Sequence, residues 1–298
     1  VLTLSIGIIT RNRYHDLIRC VTSIENSIDH CITNGGGLSI GELVISNDGS
    51  EITVKDIRYT WKVIEGPKKG IGANRNNIID NINGEYILIT DDDMEFPVDF
   101  IKKSLEKLLT VNRNIVLTGR LKDTKGYIIP TEPDFWGYRR IPIDISQQPR
   151  GFSDPVTWFP VNCFSKCRFD DSVTYGPTEM DFSYQLRFNG YEITYMPELW
   201  AIHWGENRTS VTLNKAHMEF SRIYYTLRRY HSWERSTLNL LLFRILELPR
   251  LTVALTRKMG LKGILLAFHA FVKANVQFER GKHSMERELE DTSSHSII

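Results

Sequence analysis

This sequence predicts an α/β fold built on a doubly wound, mostly parallel sheet, and three observations lead there. Short apolar, β-rich runs alternate with segments of helical spacing through the first hundred or so residues. Polar or glycine-rich residues follow those runs, at the strand ends where such sheets bind ligands. The run Tyr86-Ile87-Leu88-Ile89-Thr90 stops in three adjacent carboxylates, Asp91, Asp92 and Asp93. Like charges repel and burial penalises each of them, so a strand end is a costly place for three unless a cation meets them. A hard divalent ion takes oxygen ligands, and a Mg²⁺-type site uses one or two carboxylates plus substrate phosphates.

The elements follow in order. Residues 2–9 read as a first buried strand, ending at Thr10-Arg11-Asn12-Arg13. Residues 15–28 carry helical spacing through Leu17, Ile18, Val21, Ile24 and Ile28. A loop at Asn34-Gly35-Gly36-Gly37 leads to a strand over 43–46 and the turn Asn47-Asp48-Gly49-Ser50. A third strand is expected over 61–65. Gly70-Ile71-Gly72 opens a helix over 73–82, a fourth strand covers 86–90, and a helix covers 97–109. Residues 122–154, rich in prolines, aromatics and turn formers, read as an irregular insertion. A helix over 179–189 ends at Gly190, with extended segments over 191–195 and 199–203 after it. From Lys215 onward the chain reads as helical. Pro249 is expected to divide two amphipathic helices, and the polar tail over 286–298 is expected to fray. The domain reading is 1–213 catalytic, with halves 1–119 and 120–213, then a helical extension over 214–285 and the tail.

Composition narrows the class. The chain has 298 residues, 41% hydrophobic and 24% charged, values that suit one large globular domain or a domain with an extension. A net charge of +1 gives no bulk electrostatic reason for nucleic acid or membrane binding, and no nucleic-acid partner is expected. Cys20, Cys31, Cys163 and Cys167 complete no zinc-type cluster and are expected as free thiols in a reducing compartment. The N-terminus shows no signal-peptide pattern. No apolar run reaches the ~20 residues that span a bilayer. The nearest, 238–255, is interrupted by Arg244, Glu247, Pro249 and Arg250. A cytoplasmic location is expected, with the inner face of the plasma membrane as an option. For the C-terminal helices three roles stay open: peripheral membrane contact, packing onto the catalytic domain, or a homo-oligomer interface.

Five segments, SIGIITRNR, VISNDGSE, KGIGANRNN, YILITDDDMEF and YGPTEMDFSYQLRFNGYEITYMP with its AIHW end, cover roughly the first 205 residues. In this order they resemble the family 2 glycosyltransferases, which have the GT-A fold. The later RIYYTLRRYHS resembles the basic helix of bacterial rhamnosyltransferase-like members that build cell-surface polysaccharide. The resemblance implies a metal-dependent, inverting enzyme of the hexosyltransferase type. It would move a sugar from a nucleotide diphosphate to a hydroxyl of a glycan or lipid-linked acceptor.

Site roles follow from matched positions. Asp93 would bind Mn²⁺ or Mg²⁺, Asp91 would face the ribose or sugar, and Asp92 would assist. His203 would complete the metal shell, and its imidazole suits Mn²⁺ better. Asp48 would accept from the N3–H of uracil or thymine, with Gly49 allowing close approach and Ser50 in the same turn. A UDP- or dTDP-type donor is therefore favoured, although Asn47 replaces the family's first Asp and leaves the base open. Thr10, Arg11, Asn12 and Arg13 would hold the nucleotide, and Gly72 and Arg75 would face base or phosphates at a helix N-terminus. Glu179 would be the catalytic base, where the family more often has Asp, with Asp181 as a second acidic residue. Trp158 and Phe159 would stack on the acceptor, and Arg228 and Arg229 would approach donor phosphates or anionic lipid.

Plainer readings stand beside these: acidic helix N-termini, an Asp-Gly turn, solvated basic loops and packed aromatics. Two other functions also stand. A sugar-phosphate nucleotidyltransferase would need a glycine- and arginine-rich loop after the first strand, where this chain has TRNRYHD. A non-catalytic nucleotide-sugar-binding protein would tolerate loss of Glu179.

Overall fold

A computed structural model describes residues 1–35, 37–55, 57–111, 114–142, 149–205 and 211–294. Parts of three expectations lie outside the described residues: Gly36 of the first loop, 143–148 of the insertion, and 295–298 of the tail. In chain order the strands and α-helices are β1 (Leu2–Thr10), α1 (Tyr14–Thr33), β2 (Leu38–Asn47), β3 (Lys62–Glu65), α2 (Ile71–Ile79) and β4 (Tyr86–Asp91). β5 (Met94–Glu95), α3 (Phe100–Leu108), β6 (Ile115–Asp123), β7 (Gly126–Ile128), β8 (Thr131–Pro133), β9 (Arg139–Pro142) and β10 (Thr157–Pro160) follow. The chain continues as α4 (Thr178–Phe188), β11 (Glu192–His203), α5 (Val211–Arg228), α6 (Thr237–Met259) and α7 (Leu261–Ser294).

Nine strands form one mixed sheet in the order β3-β2-β1-β4-β10-β6-β11-β5, with β7 alongside β6. β3, β2, β1 and β4 run parallel, as do β6 and β11, while β10 and β5 are antiparallel to their neighbours. Register brings the polar strand ends to one edge: Thr10 lies opposite Asn47, Ile9 opposite Asp91, and Asn47 opposite Glu65. His203 lies opposite Met94, which carries β11 to the residue after Asp93.

Two cores cover the sheet. α1 and α3 bury Leu17, Val21, Ile24, Phe100 and Leu105 against one face. Ile78 of α2 and Phe182 and Leu186 of α4 pack on the other. Such strands, buried on both sides, carry the near-continuous apolar runs seen in the sequence. A third core joins α5, α6 and α7 through Ile223, Leu227, Phe243, Leu251 and Ala270.

Two local expectations are corrected. The extended segments over 191–195 and 199–203 are one strand, β11, whose register against β6 shifts between Tyr195 and Trp200. The shift falls at Pro197, which lacks an N–H for the ladder. Pro249 does not separate two helices, because α6 runs through it. The break falls at Gly260, whose φ of +61° suits a residue without Cβ. The polar tail read from residue 286 is helical as far as Ser294, as the end of α7. Within the insertion, β8 and β9 form a two-stranded hairpin. The π-helical turn Arg229–Trp233 between α5 and α6 holds the hairpin's turn: Arg229 donates to the Asp134 carbonyl at 2.9 Å and Tyr230 to the Phe135 carbonyl at 2.8 Å.

Candidate active site

The loop after β1 closes over the acidic turn after β4. Thr10 Oγ1 donates to Asp92 Oδ2 at 2.6 Å. The Arg13 guanidinium reaches Asp92 at 2.5 Å and Asp93 at 2.6 Å. Asp92 is fully buried, and burial pushes it up to about 7; Arg13 and Thr10 oppose that shift while Asp93 and Asp91 add to it. Burial and then Asp91 also raise Asp93, against Arg13 and His203. The repulsion expected from three adjacent carboxylates is thus met by Arg13 on one side and by Arg75 on the other. Arg75 donates to Asp91 at 3.3 Å.

Asp93 Oδ2 faces His203 Nε2 at 3.8 Å. Asp93 Oδ1 is buried and has no hydrogen-bond partner among the described residues. A Cβ at Gly205 would stand 2.5 Å from both Asp93 Oδ2 and His203 Nε2, so the missing side chain keeps open the space in front of the pair. A gap of 3.8 Å is within the span of two bonds of about 2.1 Å to a hard divalent ion. No three His, Cys, Asp or Glu side chains converge for a metal among the described residues. An ion here would take two protein ligands and complete its shell from phosphate and water, which is the habit of Mg²⁺-type sites. The residues present fit such an ion.

The nucleotide-side loops knit together. Asn12, with φ at +56°, accepts the Ser50 N–H on its Oδ1 at 2.8 Å. A Cβ at Gly49 would stand 2.4 Å from that same oxygen. Asp48 accepts the Lys68 backbone N–H at 2.8 Å. Arg11 is exposed at the rim and has no partner among the described residues. A Cβ at Gly72 would meet the Asp170 carbonyl oxygen at 2.3 Å, so this glycine serves the close packing of α2.

Arg75 does not face outward. It is buried, donates to Asp154 at 2.6 Å and to Thr178 Oγ1 at 2.9 Å, and lies over the Phe169 ring. Burial works against its charge, but Asp154, Asp91 and Glu179 outweigh it and raise its pKa. Asp154 and Arg139 were not anticipated from the sequence. Asp154 opens a 3₁₀ turn, Asp154–Val156, before β10, and a charged residue followed by Pro155 in an aromatic stretch was the only local signal. Burial pushes Asp154 up to about 7; Arg75 opposes this, and Glu179 and Asp91 reinforce it. Arg139 on β9 pairs with Glu179 and is steadied by the carbonyls of Thr131 at 3.4 Å and Phe152 at 3.2 Å.

These groups line one cleft of about 470 Å³ that includes Asp91, Arg75, Asp154, Arg139 and Glu179, with Met218 of α5 at its edge. Glu179 sits in the first turn of α4, where the helix dipole favours an anion.

Three further expectations are corrected. Trp158 and Phe159 have no exposed surface. The Trp158 indole donates to Ser104 at 2.9 Å, and Phe159 packs among Phe152, Phe164 and Phe182, so neither ring offers a face to a sugar. Asp181 is not open to a substrate: Arg228 and Trp233 bond its Oδ1 at 2.9 and 3.0 Å, and Gln185 its Oδ2 at 2.8 Å. Arg228 and Arg229 are consumed in the same way, on Asp181 and Asp170 and on the hairpin turn.

Strand ends carrying acidic residues, a cleft at the carboxyl edge and a helix delivering a carboxylate to it define a nucleotide-sugar transferase-type α/β domain. The family model of glycosyl transferase family 2 matches residues 5–169, and the chain belongs to that family. No curated protein sequence matches it significantly. Among solved structures it is similar to a crystal structure of GalNAc-T7 with UDP, GalNAc and Mn²⁺ (TM-score 0.62, 14% identity, 99% of this chain and 58% of that one). It is also similar to the S. aureus TarS crystal structure (TM-score 0.50, 13% identity, 93% and 54%). The chain thus spans little more than half the length of either neighbour, and at these identities they speak for the GT-A fold.

Proposed function

We propose that this protein transfers a sugar from a nucleotide-diphosphate donor to a hydroxyl of a glycan or lipid-linked acceptor, with inversion at the anomeric carbon. The observation that carries this reading is the single cleft in which Asp91, Arg75 and Glu179 meet, beside the facing pair Asp93 and His203. Asp48, Asn12, Ser50 and Arg11 border the nucleotide side. The acceptor oxygen attacks the anomeric carbon as the bond to the diphosphate oxygen breaks. The hydroxyl proton passes to the Glu179 carboxylate, which Arg139 holds in the cleft. A divalent ion on Asp93 and His203 would neutralise the charge that develops on the leaving diphosphate.

The UDP and Mn²⁺ of the GalNAc-T7 crystal support a uridine-type donor and Mn²⁺. In this reading residues 1–119 hold the donor, 120–213 the acceptor and base, and 214–285 form a helical extension. A rhamnosyl-type or other hexosyl specificity and a role in cell-surface polysaccharide rest on the resemblance alone.

The test is nucleotide-diphosphate release across a panel of sugar donors with Mn²⁺ and a competent acceptor, comparing wild type with Glu179→Gln. Loss of about 10²–10⁴ in turnover with donor affinity retained is expected for a lost general base. Wild type that binds donor but never turns it over would overturn the reading.

A further inference from the structure

We propose that the outer face of α6 and α7 docks on an anionic lipid surface. α6 buries one stripe, Phe243, Glu247, Leu251 and Leu255, against the rest of the protein. A second apolar stripe, Leu238, Leu241, Leu242, Ile245, Leu246 and Val253, keeps helical spacing and is exposed. α7 repeats the arrangement. Ala267, Ala270, Ala274 and Phe278 face inward, while Leu261, Ile264, Leu265, Phe268, Val272 and Val276 are exposed. A surface helix of a soluble protein needs only the inner stripe, and a helix that is apolar on its outer side too has a second apolar environment to meet.

Charge selects the occupant. Residues 237–282 hold eight Lys or Arg against two Glu, while the last turns of α7 add Arg287 with Glu286, Glu288, Glu290 and Asp291, so the basic excess belongs to α6 and the first part of α7 around the Gly260 turn. Both Glu of 237–282 are already neutralised, Glu247 by Arg222 and Arg250 and Glu279 by Arg244. Arg257, Lys258 and Lys262 cluster about the Gly260 turn, at the end of the α6 stripe and the start of α7, with no ion-pair partner among the described residues. A second copy would bring a like-charged face against this one, whereas anionic headgroups complement it. No helix among the described residues is long and apolar enough to cross a membrane, so the fitting geometry is a helix pair lying in the interface, with basic stems reaching the headgroups. The inference is independent of the chemistry assigned to the cleft.

The experiment is co-sedimentation of the full chain with vesicles of phosphatidylcholine alone or mixed 3:1 with phosphatidylglycerol. Light scattering fixes the oligomeric state, and a melting curve checks each variant. Wild type is expected to bind the anionic vesicles at least about tenfold more tightly, with added salt weakening the binding. Leu241→Glu with Leu265→Glu, and separately Arg257→Glu with Lys262→Glu, are expected to lose about tenfold or more with unchanged melting. Equal partition into both vesicles, no partition into either, or a stable dimer that the first pair of substitutions dissociates would each overturn the proposal. The wild-type comparison between vesicle types decides the matter even where a variant melts early.

Discussion

Arg75 and Asp154, 79 residues apart in sequence, form a buried ion pair with Nη1 2.6 Å from Oδ2. The same nitrogen donates to Thr178, and the other reaches Asp91, so one guanidinium links the acidic strand end to the start of α4. Asp154→Ala leaves that charge buried without its nearest counter-ion. In urea unfolding above about pH 7, where Asp154 carries its charge, a cost of about 3–5 kcal/mol is expected for breaking such a pair from one side. A cost below experimental error would show that Arg75 does not depend on Asp154.

The same carboxyl gives a pH signature. Burial, chiefly, raises its folded-state pKa to about 7, above the ordinary aspartate value of 3.8. The folded state therefore holds this proton more tightly than the unfolded chain, so the group's contribution to stability is complete below about 4 and is lost as pH rises towards about 7. The stability of wild type relative to Asp154→Asn is expected to fall across that interval in paired urea titrations. A relative stability that grows instead would mean that attraction to Arg75 outweighs burial.

Asp93 tests the metal assignment. Asp93→Ala removes one of the two facing ligands, and metal-dependent turnover is expected to drop by about 10²–10³. Full metal-dependent activity in this variant would dismiss the assignment.

Arg13 occupies the acidic turn from the solvent side, and its guanidinium is the cation nearest to Asp92 and Asp93. Arg13→Ala leaves the fully buried Asp92 carboxylate with the Thr10 hydroxyl as its side-chain partner among the described residues, which is expected to cost about 1–3 kcal/mol. Millimolar Mn²⁺ should recover part of that loss in a thermal melt. A deficit of the same size with and without the ion would argue that no cation enters the turn.

Asp181 is expected to matter for stability and not for donor binding. Asp181→Asn weakens the bonds from Arg228 and Trp233 that tie α4 to the C-terminal helices. The melting midpoint should fall, while nucleotide affinity stays within about twofold, because the partners of Asp181 are Arg228, Trp233 and Gln185 and none of these lines the cleft. A large loss of donor affinity at unchanged stability would return Asp181 to the binding site.

Much of this was legible in the chain itself. The alternation of strands and helices, the acidic end of β4 and the first-turn carboxylate of α4 are local patterns, carried by residues within a few positions of one another. Apolar period and turn chemistry depend on neighbours, so sequence exposes them. Single-residue boundaries drifted, and Pro249 misled, because α6 keeps its inner stripe packed on both sides of the proline.

What sequence did not reveal is which way each side chain turns. Trp158 and Phe159 look alike as core or as sugar platform until β10 is seen paired between β4 and β6, with both faces covered. Arg139 lies in a stretch without a motif and acquires meaning through Glu179, 40 residues later. Arg75, Asp181 and Arg228 all carry the charge that suits a ligand, yet each is consumed by a partner distant in sequence. The chain's own pattern specified the sheet and the groups at its edge, because burying apolar strands is a short-range demand. Which of those groups remain free for substrate was settled by long-range ion pairing, since a buried charge must find its counter-ion wherever the fold supplies one.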